Sequence, residues 1–195
     1  MQSTGAPQGD AIRIRAATAL DIPAITAIYR VEVLDGVATF EIDPPGDAEM
    51  ERRFRAIVEG GCPYVVAAIE GTVAGFAYAA AYRARPAYRF TVENSIYVAP
   101  SAQHRGVGRA LLAELIGRTT SAGYRQMVAV IGDSANAASI RLHRAAGFSF
   151  AGVLHAVGYK HGRWLDSVLM QRPLGSGDAT HPDEGHGCPE PFARA

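Results

Sequence analysis

Gln103-His-Arg-Gly106-Val-Gly108-Arg109 is the stretch on which the fold turns. It joins Thr91–Val98, which alternates like a strand, to Gly106–Thr120, whose Val107, Leu111, Leu112, Leu115 and Ile116 recur at helical spacing. Two glycines let the backbone turn tightly and approach a ligand with no Cβ in the way. A helix start offers unpaired N–H groups and the positive end of its dipole, so an anion is the natural guest. Arg105 and Arg109 stand in that first turn, where a cation opposes the dipole unless a phosphate sits between them. His104 and Val107 complete the expected cradle. The competing reading is a glycine-rich turn with solvated arginines. The loop is not of the Walker type, because no Gly-Lys-Ser/Thr follows. Nor is it a dinucleotide fingerprint, since Leu111 occupies the third glycine position.

Outward from the loop, the C-terminal side continues with a short buried strand, Met127–Ile131, then a helix over Asn136–Ala146 closed by Gly147. Phe148–Val157 and Trp164–Gln171 read as two strands around a turn at His161-Gly162. On the N-terminal side, Pro100 stops the strand Thr91–Val98. Tyr64–Ile69 and Thr72–Tyr82 flank Glu70-Gly71 as a hairpin. A helix from Asp47 puts Met50, Phe54, Ile57 and Val58 inward. Ile12–Arg15 is a half-buried strand, and Thr18 with Asp21 opens a helix carrying Ile22, Ile25, Ile28 and Tyr29. The order β-α-α-β-β-β-α-β-α-β-β predicts an α/β fold with one mixed sheet.

Composition sets the bounds. The chain has 195 residues, 48% apolar and 19% charged, as one soluble globular domain would. Its 19 basic and 19 acidic residues cancel, leaving no general field to hold nucleic acid. The longest apolar stretches, such as Gly75–Tyr82, fall far short of the ~20 residues that cross a bilayer. Met1–Asp10 lacks a basic-then-apolar leader. Cys62 and Cys188 make no disulfide framework, so a reducing, cytoplasmic setting is expected. Residues 1–10 and 175–195 read as unstructured tails around a domain at 11–174. His181, His186 and Cys188 match no zinc spacing, and no metal is expected.

Gln-x-x-Gly-x-Gly over 103–108, after a strand and opening a helix, resembles the pyrophosphate loop of the GNAT N-acetyltransferase superfamily. Asn136-Ala-Ala-Ser139-Ile-Arg-Leu142-His143-Arg-Ala-Ala-Gly147-Phe148 is similar to the next motif of that superfamily. Arg83-Ala-Arg85-Pro-Ala-Tyr88, Thr91-Val-Glu93, Val128–Gly132 and Gly158-Tyr-Lys160-His161-Gly-Arg-Trp164 narrow the resemblance to the phosphinothricin/methionine sulfoximine branch. It covers about Ile12 to Leu174. It implies the GNAT fold, acetyl-CoA as co-substrate, a homodimer, and acetyl transfer to the α-amino group of a small amino acid or analogue. The reaction expected is direct attack through a tetrahedral intermediate.

An amine must lose a proton before it attacks, so a base or a water wire is required. Alternation places Glu93 with Thr91, Ser95 and Tyr97 on one face of its strand, opposite Val92, Asn94, Ile96 and Val98. Glutamate is disfavoured in mid-strand, and burial there raises its pKa toward a useful range. Glu93 is therefore the candidate base, with an exposed edge glutamate as the competing reading. His143 stands where many GNAT enzymes carry a tyrosine that protonates the leaving thiolate, and imidazole suits that role; a histidine merely packed beside CoA is the alternative.

By resemblance, backbone N–H groups of Ile96, Tyr97 and Val98 hold the oxyanion and align pantetheine. Asn136 and Ser139 then lie near the arms of CoA, or simply cap their helix. For the acceptor, Arg85 offers a planar fork and Tyr88 a hydroxyl. Thr39 and Phe40 match a substrate-loop segment, Thr91 heads the matching Thr-Val-Glu, and Lys160 with His161 and Trp164 forms another wall. Two other functions compete: a protein or peptide N-acetyltransferase, and a non-enzymatic acyl-CoA sensor.

Overall fold

A computed structural model of the chain describes residues 11–182. The elements follow the expected order: β1 (Arg13–Ala16), α1 (Ile22–Asp35), α2 (Asp47–Glu59), β2 (Tyr64–Ile69), β3 (Thr72–Ala81) and β4 (Thr91–Val98). Then come α3 (Val107–Ser121), β5 (Gln126–Gly132), α4 (Ala137–Ala145), β6 (Ser149–Lys160) and β7 (Arg163–Pro173). They build a seven-stranded sheet in the order β1-β2-β3-β4-β5-β7-β6. Neighbours run antiparallel except β4 and β5, which the α3 crossover makes parallel.

Each face of the sheet carries its own core. Leu111, Leu112 and Leu115 of α3 pack with Val65, Ala67, Val92 and Ala129. On the other face Ile22, Ile25, Tyr29 and Val33 of α1 and Met50 and Phe54 of α2 cover Val66, Phe76 and Tyr97. Tyr97 meets Tyr29 edge-on at 5.0 Å, a favoured ring geometry. β2 lies between the two cores and is buried along its whole length. No helix among the described residues is long and apolar enough to cross a membrane.

The turns obey their residues. Glu70-Gly71 and His161-Gly162 both take positive φ at each central position, the backbone of a type I′ hairpin turn. The Thr18 amide donates to the Asp21 carboxylate at 2.8 Å, as the expected helix start requires. Arg15 forks onto the same carboxylate at 2.6 and 2.7 Å and holds its pKa below the ordinary value.

Three expectations change in detail. Val58 does not face inward but is 46% exposed beside a shallow groove near the turn into β2. The last hairpin is longer than expected, because a bulge between Leu154 and Gly158 lets β6 resume pairing up to Lys160. Structure also extends beyond Leu174. Arg125 donates to the Gly177 carbonyl at 2.7 Å and to the Thr180 carbonyl at 2.8 Å, tying residues 175–180 to the domain. The expected tail at 1–10, and the part of the other at 183–195 with His186 and Cys188, lie outside the described residues.

Candidate active site

The site begins where two strands part. β4 pairs with β5 only from Thr91↔Gln126 to Asn94↔Ala129. Beyond that β4 stays with β3 up to Val98, and β5 stays with β7 up to Gly132. Ala99 N–H donates to Ala74 O and Tyr82 N–H to Thr91 O, so odd-numbered residues of β4 bond to β3. Even-numbered residues therefore turn their amides toward β5, and at Ile96 and Val98 no strand meets them. A cleft of about 830 Å³ opens there, lined by Asn94–Val98 and Val130–Asp133. Tyr97 borders it too, but its amide is committed to β3 and its ring lies in the α1/α2 core.

The glycine loop closes one end of the cleft. His104 and Gly106 have φ of 61° and 85°, which curls the backbone ahead of α3. At Gly106 conformation, rather than space, selects glycine: a Cβ would meet only Ile12, at 3.9 Å. The first intrahelical acceptor of α3 is the Gly106 carbonyl, bonded by Ala110, so the N–H groups of Val107, Gly108 and Arg109 precede the ladder. Gln103, His104, Gly106, Val107, Gly108 and Arg109 all line the cleft, and Arg105 does not. Asn136 caps α4 by accepting from the Ser139 amide at 3.2 Å, and both residues line the cleft. Free helix-start amides, unpaired strand amides and the cations Arg109, Arg141 and Arg163 suit a long anionic cofactor such as acetyl-CoA.

Glu93 sits on the opposite face of β4, as alternation requires. It is half-buried, and burial pushes its carboxyl up against the opposing pull of Arg83. His143 is 4% exposed, and burial pushes its pKa down. Its Nδ1 lies 2.8 Å from the Ser139 carbonyl, which can only accept, so Nδ1 carries the proton. Nε2 then accepts from the Asn94 amide nitrogen at 3.1 Å. Both ring nitrogens are thus engaged in a neutral imidazole that ties α4 to β4.

The acceptor candidates scatter. Arg85 and Tyr88 are exposed in the loop before β4, Tyr88 edge-on to Tyr82 at 5.7 Å. Thr91 starts β4, two residues from Glu93. Thr39 is buried, its hydroxyl 3.0 Å from that of Tyr29. The Phe40 ring covers Gly158. Lys160 is buried, its ammonium 2.9 Å from the Thr39 carbonyl. None of these six lines the cleft, whereas Gly36, Val37 and Ala38 do.

Asn94, Arg141 and Arg163 went unforeseen. Asn94 carried a signal, a polar residue on the apolar face of its strand. Arg163 stood within the quoted Gly158–Trp164 stretch without a role; it reaches the cleft while paired with Asp133 at 2.5 Å across the bend after β5.

A twisted mixed sheet whose parallel pair splays over a helix-start anion cradle defines an acyl-CoA-type transferase. The chain belongs to the GNAT acetyltransferase family, whose model matches residues 26–148. It is 54% identical over 163 residues to the phosphinothricin N-acetyltransferase of Alcaligenes faecalis, covering 84% of this chain and 83% of that protein. It is 40% identical over 161 residues to the L-methionine sulfoximine/L-methionine sulfone acetyltransferase of Salmonella typhimurium, covering 83% and 94%. The crystal structure of a phosphinothricin acetyltransferase from Sinorhizobium meliloti in complex with acetyl-CoA superposes with a TM-score of 0.89. That protein is 55% identical, and the match covers 94% of this chain and 99% of the other.

Proposed function

We propose that the chain moves acetyl from acetyl-CoA to the α-amino group of a small amino acid of the phosphinothricin, methionine sulfoximine or methionine sulfone type. The observation that carries this is Glu93, half-buried on β4, the same strand whose Ile96 and Val98 amides face the cleft. A carboxylate with a raised pKa is suited to take the amine proton, directly or through a water. Acetyl-CoA supplies the activated acyl group. Ile96 and Val98 offer N–H donors to oxygen charge that develops on it. Val107, Gly108 and Arg109 offer theirs to its phosphates. Direct attack is favoured over an acyl-enzyme because no cysteine lines the cleft among the described residues; Cys62 lies elsewhere, 3.2 Å from the Tyr124 hydroxyl. His143 serves the reaction by holding Asn94 and α4. Arg85 and Tyr88 remain the groups suited to the acceptor's anionic end.

The enzyme works as a homodimer in the cytoplasm. An exposed apolar band on β6 and β7, with Phe150, Leu154, Val157, Tyr159 and Trp164, supports the first point. The need for acetyl-CoA as co-substrate supports the second. The deciding experiment measures thiol release from acetyl-CoA with methionine sulfone, methionine sulfoximine, phosphinothricin, ordinary amino acids and a short peptide. Turnover with the first three, well above the others, is expected. Thiol release with the peptide alone, or with no acceptor, overturns the reading.

A further inference from the structure

Residues 36–41 form a strap between α1 and α2 that is fastened almost residue by residue. His161 Nε2 lies 3.1 Å from the Gly36 carbonyl. The Ala38 amide donates to the Glu32 carboxylate at 2.9 Å. The Lys160 ammonium donates to the Thr39 carbonyl at 2.9 Å and points at the Glu32 carbonyl at 3.5 Å. The Tyr29 hydroxyl lies 3.0 Å from that of Thr39 and donates to Glu41, which Arg53 also holds at 2.6 Å. Phe40 rests on Gly158, and the Val37 carbonyl rests on Gly132. A Cβ at either glycine would collide with the strap.

One side of the strap, Gly36–Ala38, lines the cleft beside Asn94–Val98. The other side, through Thr39 and Tyr29, joins the α1/α2 face that also carries Glu93. The strap is therefore the wall between the cofactor cleft and the face from which an amine reaches the base. Lys160 is 4% exposed and spends its ammonium on main-chain carbonyls contributed by residues more than a hundred positions away. Burying an ammonium costs free energy that an apolar side chain of that length would not incur. Its presence makes sense where a carbonyl must be held at one place.

We propose that Lys160 is a positioning residue, which fixes the 36–41 strap through the Thr39 carbonyl and so sets how tightly the amino-acid acceptor is held, without touching it. The acceptor part rests on the acetyltransferase reading above; the fastening of the strap does not. The test compares wild type with Lys160→Met, which keeps length and loses the donor, and with Gly158→Ala, which unseats Phe40 and leaves Lys160 in place. Amide hydrogen exchange is followed at 37–41, and KM and kcat are measured with methionine sulfone at saturating acetyl-CoA.

In both variants strap amides should exchange at least ten-fold faster, with β5 and β7 amides unchanged. KM for methionine sulfone should rise about ten-fold while kcat falls less than three-fold. Binding of acetyl-CoA, by calorimetry, should stay within about three-fold. A raised KM in Lys160→Met with unchanged strap exchange would mean direct contact with the acceptor and overturns the proposal. So does faster exchange with an unchanged KM, or no change in either. If Lys160→Met does not fold, Lys160→Gln takes its place, and unchanged strap exchange or unchanged KM in that variant overturns the proposal. If wild type acetylates no amino acid, the functional reading falls, and exchange alone decides whether Lys160 fastens the strap.

Discussion

At the scale of single residues, the proposed base Glu93 and its neighbour across the strand, His143, sit in environments that push their pKa values in opposite directions. Burial raises the Glu93 pKa and lowers that of His143. A base must be ionised to accept a proton, so activity should climb as pH rises through the raised Glu93 pKa. Burial favours the neutral His143 imidazole, and its contacts with Ser139 and Asn94 occupy both ring nitrogens, which keeps this ring out of the proposed proton path. Glu93→Gln should lower kcat by roughly 10²–10⁴ and abolish that climb, with acetyl-CoA binding nearly unchanged. Rates from about pH 5 to 9 in wild type and variant check this, the span in which a raised carboxylate titrates. His143→Asn should keep the climb even where its rate is lower; losing it would return His143 to the proton path. Alternation made the face that carries Glu93 legible and the Thr-Val-Glu resemblance singled it out, while its half-burial came only with the assembled sheet. It could not show that the His143 ring is engaged at both nitrogens, since Asn94 lies 49 positions away and only the sheet brings the two together. Lys160 was expected on a wall of the acceptor site, and its hold on the Thr39 carbonyl was not legible, for the same reason.

At the scale of elements, periodicity carried most of the fold. Val107, Leu111, Leu112 and Leu115 are buried at the spacing the sequence displays, and both type I′ turns fall on the expected residue pairs. The bulge in β6 was not legible. It is held by the Ala156 amide on Asp166 at 3.0 Å, a contact with no local signature. The loop into α3 makes a sharp forecast. Gly106 has φ of 85°, so a β-branched residue there is strained by about 1–2 kcal/mol. Gly106→Val should lose that much stability in denaturant titration and lose acetyl-CoA affinity by more than ten-fold in calorimetry. An affinity within two-fold of wild type would detach the loop from the cofactor. The segment after β7 is also an element in its own right: Arg125→Ala removes its bonds to Gly177 and Thr180 and should speed proteolysis there without changing kcat.

At the scale of the whole molecule, the free edge strand β6 and its partner β7 carry Tyr159 and Trp164, 58% and 64% exposed and edge-on at 5.2 Å. Apolar surface of this kind is expected to be covered. Light scattering should return twice the chain mass of 20.7 kDa, and Trp164→Glu should return it once. Wild type at a single chain mass at micromolar concentration would reject the dimer. The parting of β4 from β5 has a mechanical side as well. The seven-stranded sheet has two halves, β1–β4 and β5–β7, joined by four register pairs. A ligand lying in the gap touches amides of one half and the helix α4 packed on the other, so it acts as a strut across the seam. At a hundred times its Kd, acetyl-CoA should add about 2.7 kcal/mol of stability and raise Tm by roughly 5–10 °C. Free adenosine, which lacks the pyrophosphate and pantetheine arms and so binds far more weakly, should leave the melting curve where it was at the same concentration.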